Sequence, residues 1–188
     1  MINEEYFINF PSLESERLIY RRFTLDDAKE IYAIRSHPEV MKYMDSTPHT
    51  SIKDSEEFIV KNFDSYKNSN GIFWAIIEKS SGVFIGDFSY WNFDKKNKRG
   101  EIGYSLKPKY WGKGYMSESM QRLLHFGLYE LQLHSIEANI NPNNNNSRNA
   151  LLRMGFQKEA YFRENYYYNG QFLDSEIYAL LKNDFNPA

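Results

Sequence analysis

"LKPKYWGKGYMSES", residues Leu106–Ser119, sets two glycines one residue apart between a strand-like run and a helix-like run. A tight turn needs one glycine at most, so the pair Gly112 and Gly114 asks what approaches the backbone there. Before it, "RGEIGYSL" (Arg99 to Leu106) alternates as a strand does; after it, Met116, Met120, Leu123, Leu124, Leu128 and Leu131 recur at helical spacing. Such a turn leaves free N–H groups at a helix N-terminus, where the macrodipole favours an anion. Two common nucleotide motifs fail, since no Gly-Lys-[Ser/Thr] closes a four-residue spacer and Ser117 stands where a dinucleotide fingerprint needs its third glycine.

Working outward, "RLIYRRF" (Arg17 to Phe23) reads as a strand. Thr24 and Asp27 have capping-box spacing for a helix carrying Ala28, Ile31 and Ile34 or Arg35 on one side. A second helix is predicted from Thr50 or Ser51, with Ile52, Ile59, Phe63 and Tyr66 on its apolar stripe. "GIFWAIIE" and "GVFIGDFSYWNF", joined through Lys79-Ser80-Ser81-Gly82, read as neighbouring antiparallel strands, with Arg99 to Leu106 as the third of the series. "HSIEANI" (His134 to Ile140) is a strand, Asn141 to Asn146 a loop, and Ser147 the expected N-cap of a short helix that ends at Gly155. Asn169-Gly170 between two β-rich runs predicts a closing β-hairpin. Few parallel crossovers fit that order, which makes the fold α+β around a mixed sheet.

Length and composition narrow the class. The 188 residues suit a single domain, with no linker or repeat to divide 1–188. A 41% hydrophobic and 17% aromatic content excludes a disordered chain, and no apolar run approaches the roughly 18 residues of a membrane span. A net charge of −2 gives no general reason to bind nucleic acid or anionic membranes. The acidic start lacks a secretory pattern, and the absence of cysteine fits a reducing, cytoplasmic setting while removing thiolate nucleophiles and Cys-based zinc sites. His37, His49, His125 and His134 are scattered without metal-ligand spacing, so no metal is expected.

The ordered set "YWGKGYMSE", Asn-x-x-Ser at Asn144 to Ser147, "LLRMGF" and "NGQFLDSEIYAL" resembles the GNAT superfamily of acetyl-CoA-dependent N-acetyltransferases, over about Arg17 to Leu181. The family loop reads [Gln/Arg]-x-x-Gly-x-[Gly/Ala], and Lys109-Tyr110-Trp111-Gly112-Lys113-Gly114 follows it except at Lys109. The particular forms are similar to the branch that acetylates ribosomal-protein N-termini. The resemblance implies a mostly antiparallel central sheet with helices on both faces. It also implies acetyl-CoA as cosubstrate, with the amides of Trp111, Gly112, Lys113, Gly114, Tyr115 and Met116 around its pyrophosphate, and Leu106 and Asn144 beside the pantetheine arm. Lys109 and Lys113 would have an electrostatic role near that phosphate, the alternative being ordinary solvated lysines of a loop. The acceptor would be a primary amine, most readily a protein N-terminal α-amine; a small amine such as a polyamine or aminoglycoside meets the same chemistry, and a non-catalytic acyl-CoA-binding module is the alternative from another class. Monomer and homodimer both stay open.

Acetyl transfer needs a neutral amine, a polarised thioester carbonyl and a proton for the leaving sulfur, and no protein nucleophile. Glu101, at the start of the strand before the loop, is the first choice of base, with Glu164 in "YFREN" as the runner-up. Alternation sets Glu101, Gly103 and Ser105 on one face and Ile102, Tyr104 and Leu106 on the other, so Glu101 meets a cleft only if the apolar face is the packed one. Many superfamily members carry a tyrosine acid at the position of Leu151; the resemblance offers Ser147 in its place. Tyr104, Tyr166, Tyr167 and Tyr168 are further hydroxyls within reach of a cleft.

Overall fold

The computed structural model describes residues 2–186. Eight strands make one sheet: β1 (Leu13–Glu14), β2 (Leu18–Arg22), β3 (Gly71–Glu78), β4 (Phe84–Asp94), β5 (Arg99–Leu106), β6 (Ser135–Ile140), β7 (Gln157–Tyr168) and β8 (Gln171–Leu181). Their order is β1-β2-β3-β4-β5-β6-β8-β7, and each neighbouring pair is antiparallel except β5 with β6. Five helices accompany it: α1 (Ala28–Arg35), α2 (Pro38–Met41), α3 (Ile52–Lys67), α4 (Tyr115–His125) and α5 (Asn145–Arg153). The α+β fold with helices on both faces and a C-terminal hairpin is the one expected.

The sheet separates two apolar cores, which is why β3 is almost continuously buried instead of alternating. Ile72, Trp74 and Phe88 face Leu123, Leu124 and Leu151 of α4 and α5. On the opposite face Ala75, Ile77 and Phe84 meet Ile31 and Ile34 of α1 and Ile59 of α3. Thr24 and Asp27 form the expected capping box, though it opens a 3-10 turn, Leu25–Asp27, that leads into α1. Ser51 caps α3, with Asp54 returning the bond to the Ser51 amide.

Several local expectations are corrected. Ile52 is 40% exposed and lies off the α3 stripe, because as the first helical residue it precedes the turn that packs on the sheet. Asn145 and Asn146 belong to α5 and not to the preceding loop. The N-cap of α5 is Asn144, whose Oδ1 accepts the Ser147 amide at 3.1 Å, so Ser147 is not the cap. An asparagine caps as well as a serine, and starting the helix earlier pairs the backbone sooner. The short β1 and α2 carry too few residues for a periodic signal.

One feature of the sheet positions everything that follows. β5 and β6 pair at Arg99↔Ser135, Gly100↔Ile136 and Glu101↔Glu137 and then part, although β5 continues to Leu106 and β6 to Ile140. Beyond Glu101, β5 is paired on its β4 side only, so the opened edge offers backbone polar groups that need partners.

Candidate active site

The glycine loop lies at the end of the opened strand. After β5 the chain makes a 3-10 turn, Pro108–Tyr110, and reaches α4 through Gly112 at φ 70° and Gly114 at φ 79°. Both are left-handed conformations that cost an L-residue about 1–2 kcal/mol. A Cβ on Gly112 would meet nothing within 4 Å, so that position faces open space. No side chain caps the start of α4, and its acidic first-turn residue is drawn aside: Glu118 takes Ser15 Oγ at 2.7 Å, the Arg17 amide at 2.7 Å and Arg17 Nε at 2.6 Å. Arg17 Nη1 also donates to the Lys113 carbonyl at 3.1 Å, which holds a guanidinium against the loop. The ammonium groups of Lys109 and Lys113 sit 4.9 Å and 5.8 Å from the Tyr110 ring, completing a cationic rim. Uncapped amides, a helix dipole and the ammonium groups of Lys109 and Lys113 make a place suited to an anion, beside an arginine whose charge is already paired with Glu118.

Other expected cofactor contacts are used internally. The Leu106 carbonyl accepts Trp111 Nε1 at 2.8 Å, and the Tyr115 hydroxyl bonds the Glu78 carboxylate beneath the Arg17 guanidinium. Met116 packs against the core. What Tyr115 and Met116 can offer an anion is therefore backbone. Asn144 has its side-chain oxygen engaged in capping α5.

Freed from capping, Ser147 makes a different bond. Its Oγ lies 2.6 Å from the Tyr104 hydroxyl, joining α5 to the opened half of β5. Tyr104 stacks on Phe88 at 6.0 Å, and burial pushes its phenol up to about 12 against the lowering effect of the Ser147 bond. Leu151 is fully buried in the core and contributes no donor.

Glu101 occupies the last paired position before the strands part. Its apolar neighbours Ile102 and Leu106 are the packed face, so Glu101 points to the α1–α3 side of the sheet, across from Trp91. Loss of water raises its carboxyl above the usual range, Asn92 Nδ2 at 3.2 Å counters this, and the neighbouring Glu137 raises it further. Such a carboxylate is a stronger base than a fully solvated one. On the same face the Ser105 hydroxyl donates to the buried Asp87, which ties the end of β5 to β4. Glu164 lies elsewhere: it is exposed in a bulge of β7 at φ 49°, its amide donating to Asp174 Oδ1 at 2.8 Å.

A cavity of about 270 Å³ opens beyond the parted strands. Its walls are the segment after α2 (Tyr43, Met44, Asp45), the β6–α5 loop (Asn141, Asn143) and the tip of the β7–β8 hairpin (Tyr168, Leu173). Two phenols clamp hairpin to loop: Tyr166 donates to Asp45 Oδ1 at 2.9 Å and Tyr168 to the Ser46 carbonyl at 2.7 Å. The structure thus brings Glu101, Tyr104, Ser147 and the glycine loop around one strand, while Glu164 stays outside. Arg17 and Asp45 went unread in the sequence; an arginine opening a strand and a lone acid between helices carry no local signature. Among the described residues no group of three or more His, Cys, Asp or Glu side chains is placed to share a metal ion, and no helix is long and apolar enough to cross a membrane.

Residues 17–157 match the acetyltransferase (GNAT) domain family. The chain is 35% identical over 174 residues to the uncharacterised N-acetyltransferase p20 of Bacillus licheniformis, covering 93% of this chain and 98% of that one. It is 28% identical over 124 residues to the [ribosomal protein uS5]-alanine N-acetyltransferase of Escherichia coli, covering 65% and 64%. An acetyltransferase of the GNAT family from Bacillus anthracis superposes with a TM-score of 0.82 at 27% identity, covering 92% of this chain and 99% of that one.

Proposed function

The chain belongs to the GNAT family of acetyltransferases, and on that premise we propose that it transfers an acetyl group from acetyl-CoA to the α-amine of a protein N-terminus by direct attack in a ternary complex. The observation that carries the reading is the parting of β5 from β6 after Glu101↔Glu137, with the uncapped start of α4 at its end, a hydroxyl pair on one face and a carboxylate on the other. The partial match to the uS5-alanine enzyme supports a peptide α-amine as the acceptor.

The residues divide the work. The amides from Trp111 to Met116, with Arg17 beside them, would hold the diphosphate, and the unpaired edge of β5 the adjoining arm. Acetyl-CoA supplies the acetyl group already activated as a thioester. Glu101 takes the proton of the incoming ammonium through water, since its raised affinity for a proton suits that task. Ser147 Oγ holds a proton at the opening, and Tyr104 behind it can replace that proton through their shared bond. The cavity beside Asn141 and Tyr168 takes the rest of the acceptor. The α-amine is the easier nucleophile for a water-relayed base, because its reference pKa of about 7.7–8.0 leaves far more of it neutral near pH 7 than a lysine side chain at about 10.4.

Mass spectrometry after incubation with acetyl-CoA tests this. Free-N-terminus peptides with blocked lysines should gain one acetyl group at the α-amine. Modification of polyamines or aminoglycosides alone would replace the peptide reading with a small-amine one.

A further inference from the structure

We propose that Asp45 selects acceptors that carry a second cationic group beyond the reacting amine, such as a peptide with a basic residue next to its N-terminus. This rests on the acetyltransferase reading and names the substrate class of its acceptor cavity. Asp45 is a wall of that cavity, and among the described residues its one hydrogen bond comes from the neutral hydroxyl of Tyr166 at 2.9 Å. No lysine, arginine or histidine among the described residues forms an ion pair with it. Lys42 shares the cavity, but its ammonium lies 5.1 Å from the Tyr43 ring centre and is exposed on the rim, where water screens it.

The remaining walls suit a cation. Tyr43 and Tyr168 are aromatic walls, and Asn143 and Gln171 are polar walls whose amides can accept from a cation, while the Asn141 side-chain oxygen is held by the Asn143 backbone amide at 2.9 Å. The residue as a whole is exposed, while packing under the hairpin strips water from the carboxylate itself and raises its proton affinity; a ligand cation would restore what that crowding removes. A volume of about 270 Å³ sits just below the range of drug-sized pockets, roughly 300–1,000 Å³, and takes one side chain with its neighbouring backbone.

The group bound there is not the nitrogen that reacts. A carboxylate in contact with an ammonium stabilises its charged form, whereas attack requires that proton to leave. Deprotonation belongs to Glu101, at the last paired position of β5, whereas Asp45 sits in the segment between α2 and α3 and lines a cavity that Glu101 does not line. The two carboxylates therefore serve different nitrogens of one acceptor.

The test uses the peptides Ala-Arg-Ala-Ala and Ala-Gln-Ala-Ala, which differ in charge but each carry a single acetylatable amine, with spermidine as a small polycation. For the wild-type protein kcat/KM should favour the arginine peptide by about tenfold or more, the usual scale of a charge-assisted hydrogen bond. Asp45→Asn should bring the ratio near one, the loss falling chiefly on KM for the arginine peptide. Tyr166→Phe, which removes the clamp and keeps the carboxylate, should retain the preference. Binding of both peptides to the CoA-loaded protein, measured by calorimetry, gives a readout that does not depend on turnover. If no peptide is acetylated yet Asp45→Asn abolishes tighter binding of the arginine peptide, the acetyl-transfer reading of this acceptor fails and the cation site stands. Acetylation of both peptides with the same ratio in wild type and Asp45→Asn overturns the cation site alone. A preference for spermidine over both peptides, lost in Asp45→Asn, keeps the site and moves its ligand to polyamines.

Discussion

The Tyr104 hydroxyl and Ser147 Oγ, 43 residues apart in sequence, lie 2.6 Å from each other across the opened edge of the sheet. Because Asn144 caps α5, the serine hydroxyl has no duty at the helix end, and its partner is the half-buried phenol.

That pairing predicts the behaviour of two variants. Ser147→Ala should lower kcat by about 10²- to 10⁴-fold, the range of general acid catalysis, with CoA affinity nearly unchanged and stability lowered only by the roughly 1 kcal/mol of its bond to Tyr104. Tyr104→Phe should lower kcat less, since Ser147 would still hold one proton. A purely structural role for the Ser147–Tyr104 bond would instead appear as lost stability with normal turnover of the folded fraction, which thermal unfolding read beside single-turnover kinetics separates.

At the loop, Gly112→Val places a branched side chain where the backbone must meet an anion. The space around that position is open and its φ is 70°, so the fold should lose only about 1–2 kcal/mol. Affinity for CoA should fall at least tenfold by calorimetry; unchanged affinity would remove the diphosphate from this loop.

Glu101→Gln should be most damaging at low pH. As pH rises through the amine's own titration, near about 8, the acceptor arrives neutral and the variant should recover toward wild type. The comparison is a kcat/KM profile on a peptide with blocked lysines, and a ratio constant across pH would pass the base role to water.

Asp54 makes a prediction about stability. Bonds from Thr50 and Ser51 hold its carboxylate down to about 2, below the ordinary 3.8. A group with a lowered folded-state value stabilises fully above its unfolded value and loses that contribution as pH falls through the folded one. Asp54→Asn should therefore lower the melting temperature at pH 5 to 7, with the gap from wild type closing as the pH approaches about 2.

The sequence by itself determined what depends on near neighbours. The Asn169-Gly170 turn, the Thr24–Asp27 and Ser51–Asp54 boxes, the glycine pair before α4 and the two-residue alternation of β5 are written within a few positions, because capping, turn geometry and burial periodicity act over that range. Even there Asn144 and Ser147 competed for one cap, and their spacing could not rank them. Only the tertiary structure decided where β5 leaves β6, that Tyr104 meets Ser147, and that Tyr166 reaches Asp45 across 121 residues of chain. Those contacts join segments that no local rule couples: each is set by how the whole sheet twists and how two cores fill its faces. Pairing at a distance is decided by the sum of that packing and not by the residues that end up touching.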